Sequence, residues 1–220
     1  MTADANRDLN ASRRDLVRRG YDAISRAYRD DEGRANPGTD EGTDSYGRWV
    51  ADLSQLLAPR ARVLDLGCGA GVPAAKLLAE KNFAVLGLDI SAVQIERARE
   101  LERLPAATFE QADMVTWEGT PASFDAVVSF YALIHVPLED QRKLLPKIRR
   151  WLRPGGYLLA IVGFERWMGI EDYLGAAMFW DHADRETYLA WLTEAGLEPL
   201  WDRYVPEGSV GHTLVLARAV

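Results

Sequence analysis

The chain has 220 residues, of which 48% are hydrophobic and 27% charged, the make-up of one soluble globular domain with a packed core rather than of a disordered or fibrous chain. Its 26 Lys and Arg stand against 33 Asp and Glu, a formal charge of -7, which supplies no basic field for a nucleic-acid backbone and argues against DNA or RNA as a partner. Cys68 is the only cysteine, which excludes an intramolecular disulfide and a cysteine-rich zinc site. With neither a secretory apolar region nor a membrane-length apolar run, the expected location is the cytoplasm.

Residues 1–12 are polar and aperiodic and are expected to fray. Leu16, Val17, Tyr21, Ile24 and Tyr28 then recur near helical spacing and predict an amphipathic helix over 13–30. The stretch 30–44, rich in Gly, Asp and Thr, disfavours regular structure and reads as a surface loop and candidate flap. Trp49, Val50, Leu53, Leu56 and Leu57 make a second helix, closed by Pro59. From Arg62 strands and helices alternate: VLDL, a helix over 73–80, FAVLGLD, a helix over 92–103, ATFEQAD and FDAVVSF. That alternation predicts a parallel sheet covered by helices on both faces. A helix over 138–151 contains Pro146, where a kink or break is expected. RPGG turns the chain into YLLAIVGF, a fifth buried strand. Residues 164–183, rich in Trp, Phe and Met, fit no strand period and read as an inserted segment. DRETYLAWLTEAGL is a helix ended by Gly196, and PLWDRYV and HTLVLARA are two closing strands joined at PEGS.

The strongest local signal is VLDLGCGAG at 63–71, an apolar strand that runs directly into glycines at 67, 69 and 71. Glycines let the backbone turn sharply and approach a ligand with no Cβ in the way. A plain strand-to-helix turn and a dinucleotide site are the other readings of such a loop. Val72 stands where the spacing would next allow a glycine, so the third glycine of G-x-G-x-x-G is missing, and Asp65 sits in the strand end just before the first glycine. The run resembles the first motif, hhDhGxGxG, of the class I S-adenosylmethionine-dependent methyltransferases and matches it throughout.

The resemblance implies a Rossmann-like, doubly wound α/β fold: a mostly parallel seven-stranded sheet with an antiparallel C-terminal strand, N-terminal helices and a lid insertion. It implies S-adenosyl-L-methionine as cofactor, held by Asp65, Gly67, Cys68, Gly69 and Gly71 in the first motif. Asp89 ends the second strand, followed by Ile90, where a ribose diol would be presented to it; the alternative is that Asp89 only caps the next helix. In QADM, Asp113 takes the role of acceptor for the adenine amino group and Met114 that of a ring contact. In FDAVVSFYALIHV, Ser129 and Phe130 fall where backbone carbonyls meet the methionine part of the cofactor, and LRPGGYLLAI is scaffold. YDAISRAY, 21–28, resembles a segment that precedes the core in many members; Tyr21 or Tyr28 lies over the cofactor there, or simply packs on a helix face.

Methyl transfer in this family is an in-line displacement that needs alignment and dehydration and no metal. A weakly acidic acceptor must also lose a proton, and His135 and His182 are the two catalytic candidates. His135 follows the fourth strand, on the acceptor side in the family's fold; His182, in FWDHAD, resembles a segment some relatives place over the site. His212 reads as a sheet residue, and Glu165 and Asp181 as flanking carboxylates. The aromatic density over 164–191 fits a lid over an apolar or aromatic acceptor, or a satellite core or dimer contact. Residues 1–58 are then a helical cap with a flexible loop, and 59–220 the cofactor domain with its lid at 164–183, one compact unit as monomer or homodimer. The expected activity is methylation of O, N or C on a small metabolite of specialised metabolism. A cyclase or lyase that keeps the cofactor without transferring methyl is the alternative. A nicotinamide oxidoreductase is disfavoured by the missing glycine, and a macromolecular methyltransferase by the lack of a basic appendage or an N-P-P-Y run.

Overall fold

Apolar runs that alternate with amphipathic segments can bury their side chains only by stacking strands under helices. In the computed structural model, which describes residues 3–34, 43–100, 106–207 and 210–220, they do so in one central sheet. Its strands are β1 (Arg62–Leu66), β2 (Ala84–Asp89), β3 (Ala107–Gln111), β4 (Phe124–Ser129) and β5 (Leu152–Gly163), with a separate hairpin of β6 (Trp167–Tyr173) and β7 (Ala176–His182), then β8 (Leu197–Glu207) and β9 (Val210–Ala219). The order is β3-β2-β1-β4-β5-β9-β8, and β9 alone runs opposite to the other six strands. This is the doubly wound, mostly parallel seven-stranded sheet expected from the sequence. Strand order reverses between β1 and β4, so a crevice opens at their carboxyl ends.

The helices are α1 (Ala3–Tyr28), α2 (Thr43–Ser54), α3 (Ala74–Glu80), α4 (Ala92–Glu100), α5 (Leu138–Trp151) and α6 (Arg185–Glu194). Successive strand residues point to opposite faces. Val63, Val85, Val128 and Ile161 meet Trp49, Leu53 and Leu78 of α2 and α3 on one side. Leu64, Leu66, Val127 and Leu158 meet Leu144, Ile148 and Trp151 of α5 and Tyr188 and Leu192 of α6 on the other. Each such buried side chain contributes about 1.5–3 kcal/mol, so the sheet is a rigid platform for what lies at its edge.

Four expectations need correction or completion. Helix α1 starts at Ala3 instead of fraying through residue 12, because its polar face is docked: the Asn6 amide donates to Glu139, Asn10 is buried, and Arg14 pairs with Asp113 and Asp140. Helix α5 runs unbroken through Pro146, which lies on its exposed face where water can satisfy the carbonyl that the ring leaves unbonded. The segment 164–183 is a β-hairpin, closed by a two-residue turn with Leu174 at φ 57° and Gly175 at φ 88°. Its period was hidden because β7 buries Met178, Phe179, Asp181 and His182 on both faces, while β6 leaves Trp167, Met168 and Ile170 half-exposed. Residues 35–42 of the expected flap, 101–103 of the expected fourth helix, and 208–209 of the PEGS turn lie outside the described residues. Among the described residues, no helix is long and apolar enough to cross a membrane.

Candidate cofactor and acceptor site

The loop after β1 is stitched to β2 by its own backbone: the Gly67 and Cys68 N–H groups both donate to the Leu88 carbonyl, at 2.8 and 2.9 Å. Gly67 has φ 78°, and a Cβ there would sit 2.1 Å from that of Ala132, so only glycine fits. Gly69 has φ 53°, yet a Cβ there would meet nothing within 4 Å: the loop leaves an open cradle at this point. Gly71 serves packing instead, since its missing Cβ makes room for Phe109 and Ala98.

Asp89, at the end of β2, accepts from the Gly69 N–H at 2.9 Å with one oxygen and from the Ser91 N–H at 2.8 Å with the other. It does not cap α4; Ser91 does, its hydroxyl accepting from the Gln94 N–H. Burial raises the Asp89 carboxyl to about 6. Burial, and then the charge of Asp89, raise Asp65 to about 7, and one Asp65 oxygen is buried without a hydrogen-bond partner among the described residues. Burial likewise pushes the Cys68 thiol up.

Gly67, Gly69 and Asp89 open on a cavity. Gly67, Gly69, Asp89, Ile90, Asp113 and Met114 form its floor; Arg14, Val17, Tyr21 and Tyr28 of α1, with His135, form its roof, and Phe130, Tyr131 and Ala132 close the far wall. An adjoining recess is lined by Asp65, Cys68, Gly69 and Phe130 among others. Asp113 accepts from the Val115 N–H at 2.9 Å and from the Arg14 Nε–H at 2.8 Å. Ser129 does not line the cavity; its buried hydroxyl donates to the Leu66 carbonyl at 3.0 Å and ties β4 to β1. Tyr21 and Tyr28 both reach the cavity and pack edge to face at 5.4 Å, so cavity lining and helix-face packing hold together.

His135 sits in a short 3-10 turn, Leu133–His135, just beyond β4. Its Nδ1 lies 2.7 Å from the Phe179 carbonyl of β7 and its Nε2 lies 2.9 Å from the Tyr21 hydroxyl. A carbonyl only accepts, so Nδ1 carries the hydrogen and Nε2 accepts from Tyr21. Burial holds the imidazole neutral, its pKa lowered to about 4. His182 is elsewhere: at the end of β7 it packs on Gly163, its ring 5.9 Å from that of His212, and it does not line the cavity. Its pKa is lowered, chiefly by burial. His212 Nδ1 lies 2.9 Å from Glu207 Oε2, and its ring lies against that of Tyr131.

Among the lining residues that the sequence does not single out, Arg14 and Tyr131 matter most. Arg14 carries no local signal, because it reads as one more arginine on a polar helix. Tyr131 lies inside the fourth-strand motif, but its left-handed backbone, φ 59°, shows only in three dimensions. The donor set fits the adenosyl cofactor that the resemblance implies: an open glycine cradle, a carboxylate fixed at a strand end for a diol, and a dehydrated carboxylate oxygen that a cationic ammonium would satisfy.

Residues 63–156 match the family model described as a methyltransferase domain. The chain is 34% identical over 166 residues to the 27-O-demethylrifamycin SV methyltransferase of Amycolatopsis mediterranei, covering 67% of this chain and 58% of that protein. It spans about half the length of the curated relatives it matches, 38% in the case of a trans-aconitate 2-methyltransferase from Variovorax paradoxus. In fold it is similar to the 1,6-didemethyltoxoflavin-N1-methyltransferase of Burkholderia thailandensis, solved with 1,6-didemethyltoxoflavin and S-adenosylhomocysteine, at a TM-score of 0.69 and 19% identity over 100% of this chain and 92% of that one. The [4+2]-cyclase SpnF shares the fold as well, at a TM-score of 0.72 and 19% identity over 92% and 94% of the two chains.

Proposed function

We propose that this chain, which belongs to the class I S-adenosylmethionine-dependent methyltransferase superfamily, transfers a methyl group to O, N or C of a small, apolar or aromatic metabolite by in-line displacement. The observation that carries this reading is that one cavity joins the Gly69 cradle and Asp89 at one end to the Tyr21–His135 pair at the other. S-adenosylmethionine, when bound, supplies a methyl group on a sulfonium sulfur, already activated for displacement.

The protein's part is to align and dehydrate. Asp89, with each oxygen fixed by one backbone N–H, keeps lone pairs for the two ribose hydroxyls. Asp65 accepts from the ammonium of the methionine part, beside Cys68 and Phe130. Ile90 and Met114 contact the adenine ring and Asp113 its amino group. Tyr28, Phe130 and Tyr131 keep water out. At the acceptor end, Tyr21 gives its hydroxyl hydrogen to His135, which leaves the Tyr21 oxygen as an acceptor toward the cavity. A proton leaving the substrate passes to that oxygen as Tyr21 passes its own to His135 Nε2, and the Phe179 carbonyl steadies the imidazolium so formed. Because burial lowers His135 to about 4, it holds the proton only transiently and returns it through the Tyr21 hydroxyl when the product leaves and water enters the cavity. His182, outside the cavity, packs on β5 and takes no part in the chemistry. The lid of this compact unit, made of the cap, 1–58, and the cofactor domain, 59–220, is α1 backed by the hairpin within 164–183, whose Met178 and Phe179 pack on Val17 and Ile24. The acidic balance of the chain argues against a nucleic-acid partner, and a cytoplasmic enzyme of specialised metabolism is the setting proposed for it.

Calorimetric titration of S-adenosylmethionine, S-adenosylhomocysteine and NADH tests the cofactor. Micromolar binding of the two adenosyl ligands is expected, and binding of NADH alone sinks the reading. An acceptor screen read by product mass then tests the reaction: gain of one CH₂ unit is expected, whereas turnover without mass gain identifies the cyclase or lyase alternative.

A further inference from the structure

Among the described residues that line the cavity, Arg14 is the only one with a permanent positive charge. It belongs to α1, but its guanidinium reaches two carboxylates on different elements. Nε donates to Asp113 Oδ2, just after β3, at 2.8 Å, and Nη1 donates to Asp140 Oδ2 in the first turn of α5. The three side chains are 13%, 22% and 11% exposed, so three charges sit largely out of water. Charges so placed persist only when paired in good geometry, and a planar fork can bridge two acids where a lysine ammonium, a point charge, cannot hold both in fixed directions. The position of the bridge matters more than its strength. Asp113 has one oxygen committed to the Val115 N–H and the other to Arg14, which fixes the carboxylate in one orientation between Ala112 and Met114 at the cavity wall.

We infer that Arg14 is a cofactor-positioning residue, a clasp that orients Asp113 toward the adenine amino group and couples closure of α1 to recognition of that group. The inference rests on the S-adenosylmethionine reading of the cavity. It predicts that the contribution of Arg14 depends on the 6-amino group and not on the rest of the ligand. A strap that merely held α1 down would weaken every ligand alike.

Calorimetry on the full chain with S-adenosylhomocysteine and with its 6-deamino purine analogue separates the two. The unchanged protein is expected to prefer the amino ligand by about tenfold, the worth of one charge-assisted hydrogen bond. Arg14→Gln should bring that preference to within about twofold. Arg14→Lys, which keeps the charge but releases one carboxylate, should give an intermediate ratio and carries the test if the glutamine variant does not fold. Equal weakening of both ligands, with the ratio intact in either variant, overturns the inference alone. Failure of the unchanged protein to bind S-adenosylhomocysteine overturns the cofactor reading, and this inference with it.

Discussion

The floor and the roof of the cavity are built by different means. Every floor residue lies between Asp65 and Met114, at or just beyond the carboxyl end of β1, β2 or β3, and backbone bonds from the glycine loop to Leu88 hold the floor in register. The roof is assembled across the chain: Tyr21 meets His135 over 114 residues, Arg14 meets Asp140 over 126, and His135 meets the Phe179 carbonyl over 44. The floor therefore comes with the sheet, whereas the roof is held by side-chain bonds and one small apolar cluster between elements distant in the chain. Elements held that way open at lower free energy than a sheet does. Substitutions in the floor should accordingly cost fold or cofactor affinity, and substitutions at the acceptor end of the roof, Tyr21 and His135, should cost turnover.

The largest effect is expected at Gly67. An alanine there drives its Cβ into Ala132 at 2.1 Å and forces a positive φ on a residue with a side chain. Gly67→Ala should lose about 3–5 kcal/mol in urea denaturation, from strain and overpacking together. A loss under about 1 kcal/mol would mean that the loop and the turn after β4 can part, and that the floor is softer than its backbone bonds suggest. Next comes Asp89→Ala, which removes the ribose acceptor while leaving the sheet intact. Titration should show S-adenosylhomocysteine binding weakened by about 100-fold, the worth of two hydrogen bonds to a charged group, with stability changed by no more than about 1 kcal/mol. A change of only a few-fold would place the ribose elsewhere.

The same division explains what the sequence could disclose. The floor was legible because its signals are local: an apolar strand running into glycines, an acid at the next strand end, and a period that switches from strand to helix within twenty residues or so. The roof was not, because its residues become special only on contact. Arg14 looks like its neighbours Arg13 and Arg18 until the fold brings Asp113 and Asp140 to it. The hairpin over 167–182 has no alternation to read, since β7 is covered on both faces and β6 keeps apolar side chains in water. His135 could be marked from its place after β4, but not the Tyr21 bond that occupies its one acceptor nitrogen. The expected fraying of α1 failed for the same reason: docking against Glu139 and Asp140 overrode a polar sequence with no period.

Tyr21→Phe sharpens the comparison from the other side. It keeps the ring packed on Tyr28 and His135 and removes only the hydroxyl that His135 accepts. Turnover should fall by about tenfold or more, as for loss of one proton-transfer partner, while S-adenosylhomocysteine affinity stays within about twofold. If affinity falls as far as turnover, Tyr21 belongs with the floor.

The smallest effect distinguishes floor from roof by its sign. Burial raises Asp65 to about 7 and Asp89 to about 6 from an ordinary 3.8. Between pH 4 and those values the native protein holds protons that the unfolded chain has shed, so these carboxyls make the unliganded protein less stable as pH rises. His135 is lowered to about 4 from 6.5. There the unfolded chain holds a proton that the native protein refuses, so stability rises with pH across the same range. One proton of difference is worth at most about 1.4 kcal/mol per pH unit. Urea denaturation of Asp89→Asn and His135→Gln between pH 4.5 and 6, each compared with the unchanged protein, should therefore give difference curves of opposite slope. Relative to Asp89→Asn the unchanged protein should lose stability as pH rises, and relative to His135→Gln it should gain. Slopes of the same sign would mean that one of the two groups meets water in solution. A roof group that did so would show that α1 stands open without ligand.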